Sequence, residues 1–177
     1  MQVPLAVDLD GTLIRCDLFS RAMLRFCGAR PWHVFVLLQW LTIGRAYAKA
    51  KLAALYPIDA ASLPYHQEFL HWLRAQKAQG RVLALATAFD RRAADGVAAY
   101  LGLFDHVFAS DGRVNLKSHA KAARLRTAFP DGFAYAGNER ADLPVWRAAK
   151  AAVIVSAPAW LETRVAREFL VERVFPR

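Results

Sequence analysis

The stretch Val7-Asp8-Leu9-Asp10-Gly11-Thr12-Leu13 decides how the rest of the chain is read. It follows a short apolar run, residues 3–7, with the length and composition of a buried strand, so two carboxylates fall where that strand should end. In an open α/β sheet, ligands gather beyond the carboxyl ends of the strands, and both acids are expected to project into that crevice. Gly11 supplies the sharp turn that follows. Two carboxylates this close repel each other unless a cation or a shared proton relieves them, and a hard divalent cation such as magnesium suits oxygen donors. A calcium loop needs further oxygen-bearing positions and a bidentate Glu; Leu13 and Ile14 follow instead. An ordinary Asp-Gly turn uses the same letters, so the decision passes to what later strands bring to the same place.

Those later segments alternate. An apolar strand pattern at residues 81–87 ends in Thr87, a helical pattern covers 91–101 up to Gly102, and a strand is expected around 106–109. Asn115-Leu116-Lys117-Ser118 opens a helix through Leu125. Residues 133–136 form another short strand running into Gly137-Asn138-Glu139-Arg140-Ala141-Asp142, and a helix at 143–149 precedes a strand at 152–155. Strictly alternating strands and helices predict a Rossmann-like α/β fold, a parallel sheet with helices on both faces. Between the first two strands lie patterns for four helices. Asp17 can cap the first, residues 31–44 are almost free of charge, 45–55 are basic, and 63–79 carry Phe69, Leu70, Trp72 and Leu73 on one face. The expected organisation is a core of residues 1–14 and 80–177 with a small helical cap inserted at 15–79. Residues 164–177 read as a helix plus a linker.

The 177 residues carry a net charge of +9, and residues 15–56 hold seven cations against a single acid, Asp17. No nucleic-acid-binding motif accompanies this charge, so nucleic acid is not the expected partner; an anionic substrate or an anionic membrane surface fits better. The apolar segment 31–44 is too short to span a bilayer, which takes roughly 20 residues. It reads either as a buried helix of the cap or, with Trp32, Trp40 and the flanking arginines, as a helix resting in a membrane interface. The five-residue apolar start is not expected to act as a secretory leader, and Cys16 and Cys27 are read as reduced thiols, Cys16 as a small buried hydrophobe near the site. The expected location is cytoplasmic, with the inner face of the membrane as a peripheral contact.

Asp8 and Asp10, Thr87, Lys117, and Asn138 with Asp142 thus stand at four strand ends or adjoining loops. In order and type this set resembles the haloacid dehalogenase-like hydrolases, and within them the phosphoserine-phosphatase-like branch. The resemblance implies a phosphate-monoester hydrolase working through an aspartyl-phosphate. Asp8 would be the nucleophile, and Asp10 the acid and base whose backbone carbonyl also reaches the metal. Thr87 would hold a phosphoryl oxygen and Lys117 would offset its charge. Lys121, one turn further on, competes for that last role; Lys117 is preferred because it stands at the helix entrance. Magnesium would be shared by Asp8, Asp10 and Asn138, with Asp142 supporting the metal site from behind and capping the helix that follows. Gly11 and Asp17 are placed on the substrate side, Asp17 lying nine residues after Asp8, where phosphoserine phosphatases carry an acid that senses substrate.

One position departs from the superfamily pattern. Asn138 stands where an Asp is usual, which removes a full negative charge and should weaken metal binding. The phrases Asp-Leu-Asp-Gly-Thr-Leu-Ile-Arg-Cys-Asp-Leu from Asp8 and Tyr-Ala-Gly-Asn-Glu-Arg-Ala-Asp-Leu-Pro-Val-Trp from Tyr135, together with Val-Glu-Arg-Val-Phe from Val171, are similar to phosphatase-like domains fused to membrane prenyltransferases of the ubiquinone-biosynthesis type. That resemblance makes Asn138 a subgroup trait. It also implies a phosphorylated isoprenoid or polyprenyl-linked sugar as substrate and a membrane prenyltransferase as partner. The alternative is a weakly active or inactive binding module that docks on such a prenyltransferase.

Overall fold

The computed structural model describes residues 2–177. Six strands form one parallel sheet in the order β3-β2-β1-β4-β5-β6: β1 (Leu5–Val7), β2 (Leu83–Asp90), β3 (His106–Ser110), β4 (Ala134–Gly137), β5 (Ala151–Val155) and β6 (Val171–Phe175). The inner strands are buried on both faces, which is why they read as continuous apolar runs. Helices α5 (Arg91–Leu101), α6 (His119–Ala128), α7 (Leu143–Ala148) and α8 (Ala159–Glu168) connect them. The expected Rossmann-like α/β sheet with helices on both faces is the observed one.

β1 sits centrally and pairs with β2 on one side and β4 on the other. The chain leaves β1 towards β2 and later returns to β4, so the sheet reverses direction at β1, where an open α/β sheet leaves its crevice. Val7 is level with Leu85 and Ala136, and the next residue in each strand carries the chain to Asp8, Ala86 and Gly137. The Asp8 amide still donates to the Ala136 carbonyl at 3.0 Å, so the nucleophile candidate is held by sheet hydrogen bonding.

Inside the inserted segment, α1 (Leu18–Ala29), α2 (His33–Ile43) and α3 (Arg45–Leu55) share their own apolar cluster of Ala22, Phe26, Leu37, Ala48 and Leu52. α4 (Gln67–Ala78) turns elsewhere. Its Phe69, Leu70 and Leu73 join Leu5, Val7, Leu83 and Phe175 under the sheet.

Two expectations are corrected. The uncharged segment is not a buried helix, because Leu37 is the sole buried residue of α2 while Phe35 is 74% and Leu38 54% exposed. The tail is a helix followed by a sixth strand, not by a linker. Phe175 is fully buried and packs its ring against Phe69 and Trp72, at centroid distances of 5.1 and 5.5 Å, and that burial holds β6 on the sheet edge. Among the described residues, no helix is long and apolar enough to cross a membrane.

Candidate active site

A cleft of about 600 Å³ opens over the ends of β1 and β4 and is roofed by the cap. Its floor holds Asp8, Asp10, Gly11, Asn138 and Asp142; Asp17, Arg45 and Lys49 reach it from the cap side. Asp8 and Asp10 stand on the turn that leaves β1. The Asp10 carboxylate accepts the Leu18 amide at 2.8 Å, which ties the start of α1 to the acidic pair. Burial, reinforced by the nearby Asp17, raises the Asp10 carboxyl to about 6 against the pull of that hydrogen bond.

Asp8 does not pair with Lys117. Lys121, itself 3% exposed, donates to Asp8 Oδ1 at 2.5 Å, and Lys117 pairs instead with Glu139 at 2.9 Å on the rim. The backbone explains the exchange. Ser118 adopts a left-handed φ of 55°, so α6 begins only at His119 and Lys121 lies in its first turn. A long side chain there leans back towards the helix start, which faces Asp8. The two lysines therefore differ in environment although only one turn separates them. Burial pushes the Asp8 carboxyl above its usual range, with Asp142 and Asp10 adding to the rise and Lys121 opposing it. The same carboxylates hold the Lys121 ammonium above its ordinary value despite the cost of burial.

Behind this pair runs a buried relay. Lys121 also donates to the Tyr135 hydroxyl at 2.9 Å, and Tyr135 donates to Asp142 Oδ1 at 2.7 Å. Asp142 Oδ2 accepts the amides of Asn138 and Glu139, each at 3.0 Å. Asp142 thus shapes the loop that presents Asn138 and, as the last residue of the 3-10 turn Arg140–Asp142, completes a capping box with Glu139. It stands at the N-cap position of α7, but its side chain bonds no amide of that helix, so the expected capping is not made. Burial holds the Tyr135 phenol well above its ordinary value, so it stays a donor to Asp142. The close approach requires Gly137, where a Cβ would sit 2.7 Å from Asp142 Oδ2. Gly11 has the same kind of role: its φ is +74°, and a Cβ there would lie 2.1 Å from Asn138 Nδ2.

Thr87 is fully buried, and its hydroxyl accepts the Phe89 amide at 2.9 Å. β2 continues to Asp90 past an irregularity after Ala86, so the cleft wall at this strand end is Ala88. Asp17 caps α1 by accepting the Ser20 amide at 2.5 Å and also lines the cleft, joining the two roles weighed for it.

Three contributors escaped sequence reasoning. Thr12 donates to Asn138 Oδ1 at 3.2 Å, Tyr135 links Lys121 to Asp142, and Lys49 crosses from α3 to donate to the Ala88 carbonyl at 2.7 Å. Tyr135 looked like an ordinary strand residue, and Lys49 one cation among many.

For a divalent cation, the fit rests on donor chemistry. The groups that the resemblance assigns to it, Asp8, the Asp10 carbonyl and Asn138 Oδ1, offer only oxygen, and among the described residues no three His, Cys, Asp or Glu side chains are placed to hold a metal ion by themselves. Such a set suits magnesium, which keeps several of its waters, better than a thiophilic or imidazole-seeking metal.

Residues 5–147 match the haloacid dehalogenase-like hydrolase family. The uncharacterized protein y4nM of Sinorhizobium fredii is 37% identical over 171 residues, which is 97% of this chain but 33% of that protein's length. Among solved structures, a protein of unknown function from Bordetella pertussis Tohama I superimposes with a TM-score of 0.68 at 18% identity, covering 97% of this chain and 98% of that one. A phospho-aspartyl intermediate analogue of phosphoserine phosphatase superimposes at 0.65 and 15% identity, covering 99% and 94%. The two structural likenesses bear on the fold, whereas the family match spans the site itself. The chain belongs to the haloacid dehalogenase-like hydrolases.

Proposed function

We propose that the chain hydrolyses phosphate monoesters with magnesium through an aspartyl-phosphate. The observation that carries this reading is the buried Asp8–Lys121 pair beside Asp10 at the floor of the cleft. Lys121 engages Oδ1 of Asp8, and Oδ2 is the atom that attacks phosphorus. As that bond forms, the ester P–O bond breaks and Asp10 gives its proton to the leaving oxygen. A carboxyl raised to about 6 retains a proton fraction near neutrality and can later take one from water. That water then attacks phosphorus, freeing Asp8 and orthophosphate. Thr87, to which the resemblance gives a phosphoryl oxygen, lies fully buried behind Ala88 and accepts the Phe89 amide, so in this arrangement it shapes the strand-end turn and does not line the cleft. Lys121 offsets the charge that accumulates at Asp8. Magnesium held by Asp8, the Asp10 carbonyl and Asn138 would stabilise phosphoryl oxygens as a Lewis acid.

The resemblance of three sequence phrases to prenyltransferase-fused domains extends this proposal to an isoprenoid or polyprenyl-linked phosphate ester, with a membrane prenyltransferase as partner. The cap supports a membrane contact. Phe35 and Leu38 stand exposed three residues apart on α2, Trp32 precedes them at 56% exposure, and Arg30 and Arg45 flank the helix. Asn138 favours a second reading, in which a weakly loaded metal site leaves the chain a docking module. A magnesium-dependent assay over a panel of phosphate esters separates the two. The hydrolase reading expects turnover that falls by at least about a thousandfold in Asp8→Asn; turnover of no ester by the unaltered chain favours the module.

A further inference from the structure

Five cationic side chains line the cleft, and they fall into two groups. Lys121 and Lys117 are matched by Asp8 and Glu139, whereas among the described residues no carboxylate lies within salt-bridge distance of Arg15, Arg45 or Lys49. Arg45 and Lys49 come from one face of α3, four residues and about one helical turn apart. Arg15 joins them from the loop before α1.

Lys49 is the most informative of the three. Its ammonium contacts are neutral: the Ala88 carbonyl at 2.7 Å, the Asn115 side-chain oxygen at 3.4 Å, and the face of the Phe19 ring at 5.8 Å. Withdrawing an ammonium from water onto neutral acceptors costs free energy that an arriving anion recovers. Burial accordingly lowers its affinity for a proton, with Asp10 opposing that drift. Among the lining residues, Asp17 is the one cap-side carboxylate, and its Oδ1 is committed to the Ser20 amide.

Position then assigns the anion. Asp8 and Lys121 lie on the floor, and Asp10, on the reading given above, must face the leaving oxygen. The Asp10 carboxylate also accepts the Leu18 amide at the start of α1, on the side of the cleft that Arg15, Arg45 and Lys49 line from the inserted segment. The unmatched cations therefore stand on the leaving-group side of the scissile bond. We propose that Arg15, Arg45 and Lys49 form a second anion subsite, so that the ester this cleft prefers carries a further oxyanion, a carboxylate or a second phosphoryl group, close to the phosphate it loses. Guanidinium and ammonium groups in a cleft concentrate such a ligand and discriminate against a neutral leaving group. The proposal rests on the hydrolase reading for its orientation but not for the binding itself.

The binding test uses probes without a scissile bond. Inorganic phosphate, phosphonoacetate and methylenediphosphonate are titrated by calorimetry into the 177-residue chain in EDTA. At least one of the two bis-anions should bind about tenfold or more tightly than phosphate, the gain of one charge-assisted contact. Phosphonoacetate as the tighter ligand names a carboxylate, and methylenediphosphonate names a phosphoryl group. In Lys49→Gln and in Arg45→Gln that advantage should shrink about tenfold, with binding of phosphate falling less. Arg45 is exposed, so its variant carries the test even where Lys49→Gln fails to fold. Equal affinity for all three probes, or variants that weaken all three alike, overturns the subsite. A parallel kinetic arm compares esters with a carboxylate-bearing and a neutral leaving group, and the kcat/KM ratio should fall about tenfold in the same variants. If the bis-anion advantage is present while no ester is turned over, the hydrolase reading fails and the subsite stands.

Discussion

At the scale of single residues, the exchange of Lys117 for Lys121 carries most of the chemistry. Lys121 is enclosed by Asp8, Tyr135 and the field of Asp142, while the Lys117 side chain is 40% exposed and paired with Glu139. An exposed pair is worth about 1 kcal/mol or less, whereas a charge left alone in a buried network costs several. Lys121→Met should therefore lower kcat by about a hundredfold or more and reduce stability, and Lys117→Met should change kcat by less than about tenfold. Steady-state kinetics on the two variants checks this, and similar losses in both would return the role to Lys117. Asn138 makes a second prediction. Restoring a carboxylate in Asn138→Asp adds the missing charge to the oxygen set, so the magnesium concentration for half-maximal activity should drop by about tenfold. Thr12, which donates to Asn138 Oδ1, can donate to the new carboxylate equally well.

At the scale of elements, the junction that holds α4, β1 and β6 together is Arg81. Its guanidinium donates to both oxygens of Glu172 at 2.5 and 2.9 Å, to Gln76 at 2.7 Å and to the Val3 carbonyl at 3.0 Å. The bidentate fork fixes where β6 begins, and Phe175 fixes where it ends by packing on Phe69. Glu172→Ala strands a guanidinium that is 2% exposed at its side chain. Because Glu172 itself is reached by water, the loss should lie towards the lower end of the roughly 3–5 kcal/mol expected for breaking a buried pair. Urea denaturation measures it; a change below about 1 kcal/mol would show that the edge strand is held by Phe175 alone.

At the scale of the whole molecule, the polar contacts that join α3 to the core sit beside the cleft. Lys49 donates to Ala88, and Arg92 donates to the Ala50 carbonyl at 2.8 Å while also binding Asp90. Outside those contacts the cap carries an apolar face on α2 and no acidic residue between Leu18 and Ile58. An anionic surface matches both features, because basic side chains near such a surface contribute about 1 kcal/mol each and exposed aromatic and aliphatic groups enter the headgroup region. The chain should sediment with vesicles rich in anionic lipid at low salt and be released as salt rises, and Phe35→Glu with Leu38→Glu should abolish the pelleting. Retention in the supernatant with the cap unaltered, or self-association through the same face, removes the membrane reading.

The sequence by itself determined the alternation of strands and helices, the central strand that ends in Asp8, and the loop that carries Asn138 and Asp142. These are local facts: a strand buried on both faces is a continuous apolar run, and a turn beyond it needs Gly11 or a short polar side chain. Tertiary structure alone decided which lysine meets Asp8, since the left-handed Ser118 and the start of α6 set the direction of each side chain. It also decided that the tail adds a strand, because Val171–Phe175 is charged and mostly exposed, and Phe69 and Arg81 hold it on the sheet edge. Lys49 is the extreme case. Its partner Ala88 lies 39 residues away, and only the folding of the cap over the sheet turns an ordinary helix cation into part of the cleft.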